Sequence, residues 1–120
     1  MKKVLVADDK ATSRELVRTV LEDSGYLIIE AGDGLEALRT ARESKPDLIL
    51  LDLHMPGLDG FAVVREIRLD DELARTPVVA LTASAMQGDR ERAIAAGFTD
   101  YISKPISLRA LRTEVERLLK

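Results

Sequence analysis

The sequence contains no cysteine, no tryptophan and a single histidine, His54. Without cysteine it can form no disulfide, thiolate nucleophile or cysteine-ligated zinc site, and one histidine offers little for any other zinc site. Long apolar runs are missing too, since the first run, Val4–Ala7, is too short for a signal peptide or a membrane span. These absences favour a cytoplasmic protein that does not insert into a membrane.

The composition and charge are those of one globular domain. The 120 residues fit a single domain, 1–120, and are 46% hydrophobic and 32% charged. The formal net charge is −3 and the sequence pI is about 5.2. A dedicated nucleic-acid binder usually presents a basic face, so we do not expect direct binding of nucleic acid.

Short apolar runs alternate with segments of helical spacing along the whole chain. The runs are continuous rather than alternating, which is typical of parallel strands buried on both faces. They are Val4–Ala7, Leu27–Ile29, Leu48–Leu51, Val78–Leu81 and Tyr101–Ser103. This order predicts an α/β doubly wound fold with a five-stranded parallel sheet and five helices.

Capping residues and apolar spacing mark the helices. Thr12 and Glu15 form a capping-box pattern at the start of the first helix, and Ser107 is the expected N-cap of the last. The second helix should begin at Asp33-Gly34 and the third after Gly60. Their predicted buried side chains are Leu35, Leu38 and Ala41 in the second helix and Val63, Val64 and Ile67 in the third.

The fourth helical segment, Ser84–Ala96, is poor in apolar side chains. Apart from Met86 and Ile94 it has little to bury. We therefore expect it to be the least stable helix, and elements of low stability are often the ones that move.

Polar residues follow the ends of the predicted strands. They are Asp8 and Asp9 after the first strand, Asp52 after the third, Thr82 after the fourth and Lys104 after the fifth. In open α/β sheets, ligands bind outside the carboxyl ends of the strands. Each residue alone has an ordinary explanation, such as acids at a helix N-terminus, but together they predict one site.

The residue types at this edge favour a hard cation and a phosphoryl group. Two like charges about 4 Å apart repel by about 4 kcal/mol at an effective dielectric of 20, and carboxylate oxygens favour Mg²⁺. Asp52 ends a strongly apolar run and can act as a nucleophile that forms an aspartyl phosphate. Thr82 and Lys104 supply a hydroxyl donor and a cation for phosphate oxygens.

Four motifs then match a known family. They are Val4–Asp9, Leu50–Gly60, Ala80–Ala83 and Gly97–Pro105. With these motifs in this order and spacing, the chain resembles the receiver domain of two-component response regulators from end to end. The resemblance implies a flavodoxin-like sheet of strand order 2-1-3-4-5 and a chemotaxis-regulator-like receiver. Because the sequence starts at Met1 and ends at Lys120, we expect a stand-alone receiver.

The resemblance also implies a role for each site residue. Asp52 would be the phosphoacceptor, and Mg²⁺ would be held by Asp9, Asp52 and the backbone carbonyl of His54, with Asp8 acting partly through water. Lys104 would pair with the phosphoryl oxygens, and its bond to Pro105 is usually cis in the family. Thr82 would reach the phosphoryl group, and Tyr101 would be the aromatic residue that turns inward with it.

The partners follow from the same resemblance. A sensor histidine kinase or a histidine phosphotransfer protein would donate the phosphoryl group, and the switched face would bind a downstream protein. The domain would catalyse only its own phosphorylation and dephosphorylation, and would otherwise not be an enzyme.

Three other functions remain open at this point. A phosphohydrolase of the haloacid-dehalogenase kind would use Asp52 as its nucleophile, but its signature places a second acid where this chain has His54. A flavodoxin-like carrier would have to bind a flavin phosphate beside three acids. A receiver that works without phosphorylation would not need the complete set of acids, Thr82 and Lys104.

Overall fold

The computed structural model describes residues 1–83 and 88–120, and in these residues five strands alternate with five helices. The strands are β1 (Lys3–Ala7), β2 (Leu27–Ala31), β3 (Leu48–Asp52), β4 (Val78–Thr82) and β5 (Asp100–Ser103). The helices are α1 (Ala11–Asp23), α2 (Gly34–Ser44), α3 (Gly60–Leu69), α4 (Asp89–Ala96) and α5 (Leu108–Leu119). All strand pairs are parallel and the order is β2-β1-β3-β4-β5, so the predicted α/β fold is confirmed.

The central strands are buried on both faces, which explains their continuous apolar sequences. All five residues of β3 are buried. Leu51 lies in a cluster with side chains of α2, α3 and α4, whereas its neighbour Leu50 lies in a second cluster with side chains of α1 and α5. Successive strand residues therefore supply two different cores, and no position of the strand can be polar until the strand ends.

The start of the first helix differs from the prediction. Thr12 lies inside α1, and the N-cap is Lys10, whose side chain makes no capping hydrogen bond. The helix therefore begins at Ala11, two residues before the start at Ser13 that an N-cap at Thr12 implies. The reciprocal capping contacts occur instead at α2, where Asp33 accepts from the Glu36 N–H and Glu36 accepts from the Gly32 N–H.

The predicted starts of α2 and α5 are confirmed, α3 begins at Gly60 itself, and one buried face needs a correction. Asp33, Asp59 and Ser107 each cap the following helix through a side-chain hydrogen bond. Leu35, however, is 68% exposed. It is rotated by about 100° from the buried Gly34, so it leaves the face that Leu38 and Ala41 occupy.

Only the last part of the predicted fourth helix can be compared. Residues 84–87, including Met86, lie outside the described residues. From Asp89 to Ala96 the helix buries Ala93, whereas Ile94 is 43% exposed. The described part of this segment buries few side chains, as the sequence predicted, but the buried one is Ala93 and not Ile94.

A close backbone contact fixes the loop that follows β3. An ideal Cβ on Gly34, at the first turn of α2, would lie 1.8 Å from the carbonyl oxygen of Leu58. The residue must therefore lack a side chain for this loop to lie where it does.

Nowhere in the described residues is there a helix long and apolar enough to cross a membrane.

Candidate phosphoacceptor and metal site

The structure brings the predicted polar residues to one edge of the sheet. Asp8 follows β1, Asp52 and Thr82 are the last residues of β3 and β4, and Lys104 follows β5. The nearest carboxylate oxygens of Asp8, Asp9 and Asp52 all lie within 4.8 Å of one another. These side chains are distant in the sequence but lie close together, because parallel strands all end at this edge.

Burial differs sharply within the acid cluster. Asp8 and Asp52 are 1% and 5% exposed, whereas Asp9 is exposed. A buried carboxylate needs a partner that compensates for lost hydration. The cluster is thus open to solvent on the side of Asp9 and closed behind Asp52.

Lys104 is the cation that partners both buried acids. Its Nζ lies 2.8 Å from Asp8 Oδ2 and 3.4 Å from Asp52 Oδ2. Burial would lower the pKa of Lys104, but the hydrogen bond to Asp8 and the charge of Asp52 outweigh burial and raise it. Lys104 therefore stays protonated, and one ammonium group is set against three carboxylates.

Asp52 is held in a setting that disfavours its charge. Burial raises the pKa of Asp52, while the His54 N–H bond and the Lys104 charge act in the opposite direction and the Asp8 charge adds to the rise. The His54 N–H donates to Asp52 Oδ1 at 3.0 Å, and the His54 side chain is exposed. A cation near the carboxylate oxygens would relieve this electrostatic cost.

The donor set fits magnesium. The three side chains that converge offer carboxylate oxygens, and Mg²⁺ is typically bound through one or two carboxylates, with water and phosphate oxygens completing its shell. The exposed Asp9 leaves room for such water and for an incoming phosphoryl group. Asp9, Asp52 and the His54 carbonyl could hold the ion, with Asp8 behind them.

Two residues shape the site in ways that the sequence did not predict. An ideal Cβ on Gly60 would lie 2.7 Å from the carbonyl oxygen of Asp52, so this glycine lets α3 approach the back of the phosphoacceptor. The Arg14 guanidinium donates to the carbonyl oxygen of Asp8 at 2.6 Å. Both contacts join residues that only the tertiary fold brings together.

The predicted switch residues lie beside this site, on the strands next to α4. Thr82 is fully buried, and its carbonyl accepts from the Lys104 N–H at 2.6 Å. Tyr101 is half-buried on β5, and its pKa is raised by burial and by the nearby carboxylate of Asp89 on α4. The Lys104–Pro105 bond is cis, as the resemblance implied.

Aromatic and charged contacts surround α4. Phe61 and Phe98 form an edge-to-face pair 6.0 Å apart within the core, and Arg92 lies over the Phe61 ring. The Asp100 carboxylate joins α4 to α5, because it pairs with Arg90 at 3.2 Å and with Arg117 at 3.3 Å. Charged contacts therefore cross the face made by α4, β5 and α5.

Comparison with known proteins identifies the family. The model of the response regulator receiver domain matches residues 4–116, and the chain belongs to this family of two-component signalling domains, which are not classical enzymes. The polar-differentiation response regulator DivK of Brucella anthropi is 47% identical over 107 residues, which are 89% of this chain and 87% of that protein.

Solved structures show the same likeness. The chemotaxis protein CheY4 of Vibrio cholerae is 34% identical with a TM-score of 0.93, over 99% of each chain. The receiver domain of a sensor histidine kinase from Pseudomonas aeruginosa is 36% identical with a TM-score of 0.90, over 98% of this chain and 97% of that one. That receiver holds a magnesium ion coordinated in its active site cleft.

Proposed function

We propose that the chain accepts a phosphoryl group on Asp52 from a sensor histidine kinase or a histidine phosphotransfer protein. The observation that carries this proposal is the buried Asp52 carboxylate, clustered with Asp8 and Asp9 and paired with the Lys104 ammonium. Asp9, Asp52 and the His54 carbonyl would hold Mg²⁺, with Asp8 acting partly through water. The magnesium of the Pseudomonas receiver supports this choice of metal.

The chemistry needs little beyond positioning and charge compensation. An Asp52 oxygen attacks the phosphorus of a phosphohistidine, the new P–O bond forms, and the P–N bond breaks with its electron pair leaving on the imidazole. Magnesium, when bound, supplies positive charge against the acids and the phosphoryl oxygens. Lys104 already lies 3.4 Å from Asp52 and would pair with the phosphoryl oxygens. Attack of water on the phosphorus reverses the modification.

The phosphoryl group would act through the neighbouring strands. A dianion on Asp52 attracts the Thr82 hydroxyl, and the movement of Thr82 makes room for the Tyr101 ring. Tyr101 and α4 are then the two-state element that the new charge biases. The face made by α4, β5 and α5 would change shape and present a new surface to a downstream protein in the cytoplasm.

The charge on that face suggests the kind of partner. Arg90, Arg92, Arg109 and Arg112 are exposed on α4 and α5 at the edges of that face, and such residues favour a protein with an acidic rim. Asp100 holds Arg90 in the present arrangement, so a shift of α4 that breaks this pair would free Arg90 for the partner.

Replacement of one acid tests the metal site. At a magnesium concentration of 100 times its dissociation constant, the free energy of unfolding of the wild type should rise by about 2.7 kcal/mol. Asp9→Asn should lose this gain, and should be more stable than the wild type without metal because repulsion is relieved. Thermal and urea unfolding with and without MgCl₂ measure both effects.

A charge-matched variant provides the control for this experiment. Asp71 is exposed in the loop between α3 and β4, away from the site, so Asp71→Asn should keep the whole magnesium effect. Equal protection of Asp9→Asn and wild type by magnesium would remove Asp9 from the metal site.

A phosphoryl mimic tests the switch. Beryllofluoride with Mg²⁺ should shift amide resonances of Thr82, Tyr101 and α4, as well as those around Asp52. Thr82→Ala should confine the shifts to the acid cluster, whereas Thr19→Ala, on the exposed face of α1, should leave them unchanged. If the wild type itself shows shifts only at Asp8, Asp9, Asp52 and their sequence neighbours, the switch proposal is wrong.

A further inference from the structure

Arg14 forms a bridge between the acid pair and the edge strand β2. Its side chain is 20% exposed on α1, and its Nε lies 3.1 Å from Glu30 Oε1 on β2. Its Nη1 donates to the carbonyl oxygen of Asp8 at 2.6 Å. Glu30 is held from the other side by Arg18, whose Nη1 lies 2.6 Å from Glu30 Oε2.

The carbonyl that Arg14 binds belongs to the peptide between Asp8 and Asp9. Asp8 is already fixed by three further bonds, because its N–H donates to the Ala31 carbonyl, its Oδ1 accepts from the Lys10 N–H and its Oδ2 accepts from the Lys104 ammonium. Asp9 is exposed, so the direction of its carboxylate depends on the orientation of the peptide that precedes it. Arg14 donates to the carbonyl oxygen of that peptide.

We infer that Arg14 is a positioning residue for the metal site, which orients the Asp8–Asp9 peptide and is itself oriented by Glu30. This inference rests on the proposed function, because it takes Asp9 as a magnesium ligand. It adds a residue outside the acid cluster on which metal affinity depends. Groups that orient metal ligands are worth about 10- to 100-fold in affinity.

The sign of the effect separates positioning from simple charge. Arg14 is a cation close to the acid cluster, so if charge alone mattered its removal would strengthen the binding of a dication. Positioning predicts the opposite, because the freed peptide lets the Asp9 carboxylate leave the geometry that Mg²⁺ requires. Arg18 serves as the matched control, since it is an arginine on the same helix that pairs with the same Glu30.

The experiment compares Arg14→Met with Arg18→Met by titration of each protein with MgCl₂, followed by NMR. Arg14→Met should bind magnesium on the order of tenfold more weakly than the wild type, and Arg18→Met should bind within about twofold of it. Arg14→Lys should recover only part of the loss, because one ammonium cannot hold the carbonyl and Glu30 in the same planar geometry. Glu30→Gln should also lose affinity, but charge alone predicts the same sign for that variant. Arg14→Lys keeps the positive charge, so charge alone predicts no change there, and it decides the question if Arg14→Met does not fold.

A metal-free measurement makes the test independent of the proposed function. The Lys10 amide donates a hydrogen bond to Asp8 Oδ1. Its hydrogen-exchange rate should be faster in Arg14→Met than in Arg18→Met. Magnesium affinity that rises or stays equal in Arg14→Met overturns the inference, as does an unchanged Lys10 exchange rate. A wild type that binds no magnesium refutes the proposed metal site, and the exchange rates then decide whether Arg14 orders the peptide.

Discussion

Wild-type protein incubated with acetyl phosphate and Mg²⁺ is expected to gain a single phosphoryl group, and Asp52→Asn is expected to gain none. Asp52 is one of the two buried carboxylates of the cluster, it ends β3, and the Lys104 ammonium lies 3.4 Å from its Oδ2. An amide at this position is not a nucleophile that can form an acyl phosphate. Intact-protein mass spectrometry and lability of the label to alkali measure the result.

Loss of modification in Asp52→Asn should not reflect loss of folding. Burial raises the pKa of Asp52 above its value in the unfolded chain, so stability is lost as the pH rises from the unfolded pKa through the folded pKa, and the loss is complete above the folded pKa. At neutral pH and without magnesium, Asp52→Asn should therefore be at least as stable as the wild type. Asn can still accept the His54 N–H, and Asp71→Asn should be phosphorylated normally.

The same experiment separates the receiver from the hydrolase alternative. A haloacid-dehalogenase-like phosphohydrolase would turn over unrelated phosphate esters steadily in the presence of magnesium. A receiver should stop after one modification and then lose the phosphoryl group to water. Label retained in Asp52→Asn would show that another group is modified, and steady ester turnover by the wild type would support the hydrolase.

The site residues could be predicted because they lie where apolar strands end. Every position within β3 is buried, so the first polar residue after Leu48–Leu51 marks the edge of the sheet. The same transition places Thr82 after β4 and Lys104 after β5. Since parallel strands share that edge, the order of the predicted strands was enough to predict that Asp8, Asp52 and these residues lie close together.

Features set by tertiary contacts could not be predicted in this way. The Arg14 bond to Asp8 and the ion pair with Glu30 depend on side-chain directions that have no period in the sequence. Leu35 fits an apolar spacing of three with Leu38, but the centre of the buried face is decided by Gly34 and Ala37. The capping pattern at Thr12 was wrong because the N-cap is Lys10, the residue that follows the acid pair, and Thr12 already lies inside α1.

Gly34→Ala is expected to destabilise the protein more than any surface substitution, by about 3 kcal/mol or more. The added methyl carbon would lie 1.8 Å from the Leu58 carbonyl oxygen and 2.9 Å from Leu58 Cβ, whereas carbon–oxygen contacts normally lie beyond about 3.3 Å. The clash involves backbone, so the loop between Asp52 and Asp59 must move as a whole. Urea unfolding of the metal-free protein measures the loss.

Gly57→Ala is the matched control, because Gly57 lies in the same loop and a Cβ there would meet nothing within 4 Å. Its φ of +76° makes alanine strained, which costs about 1–2 kcal/mol but displaces no neighbour. If the loop carries the His54 carbonyl to the metal, Gly34→Ala should also slow phosphorylation by acetyl phosphate, even at magnesium concentrations that saturate the wild type. Gly57→Ala should be phosphorylated at close to the wild-type rate. Equal stability losses in the two variants would mean that α2 and the loop separate easily, and that the position of the loop is not fixed by Gly34.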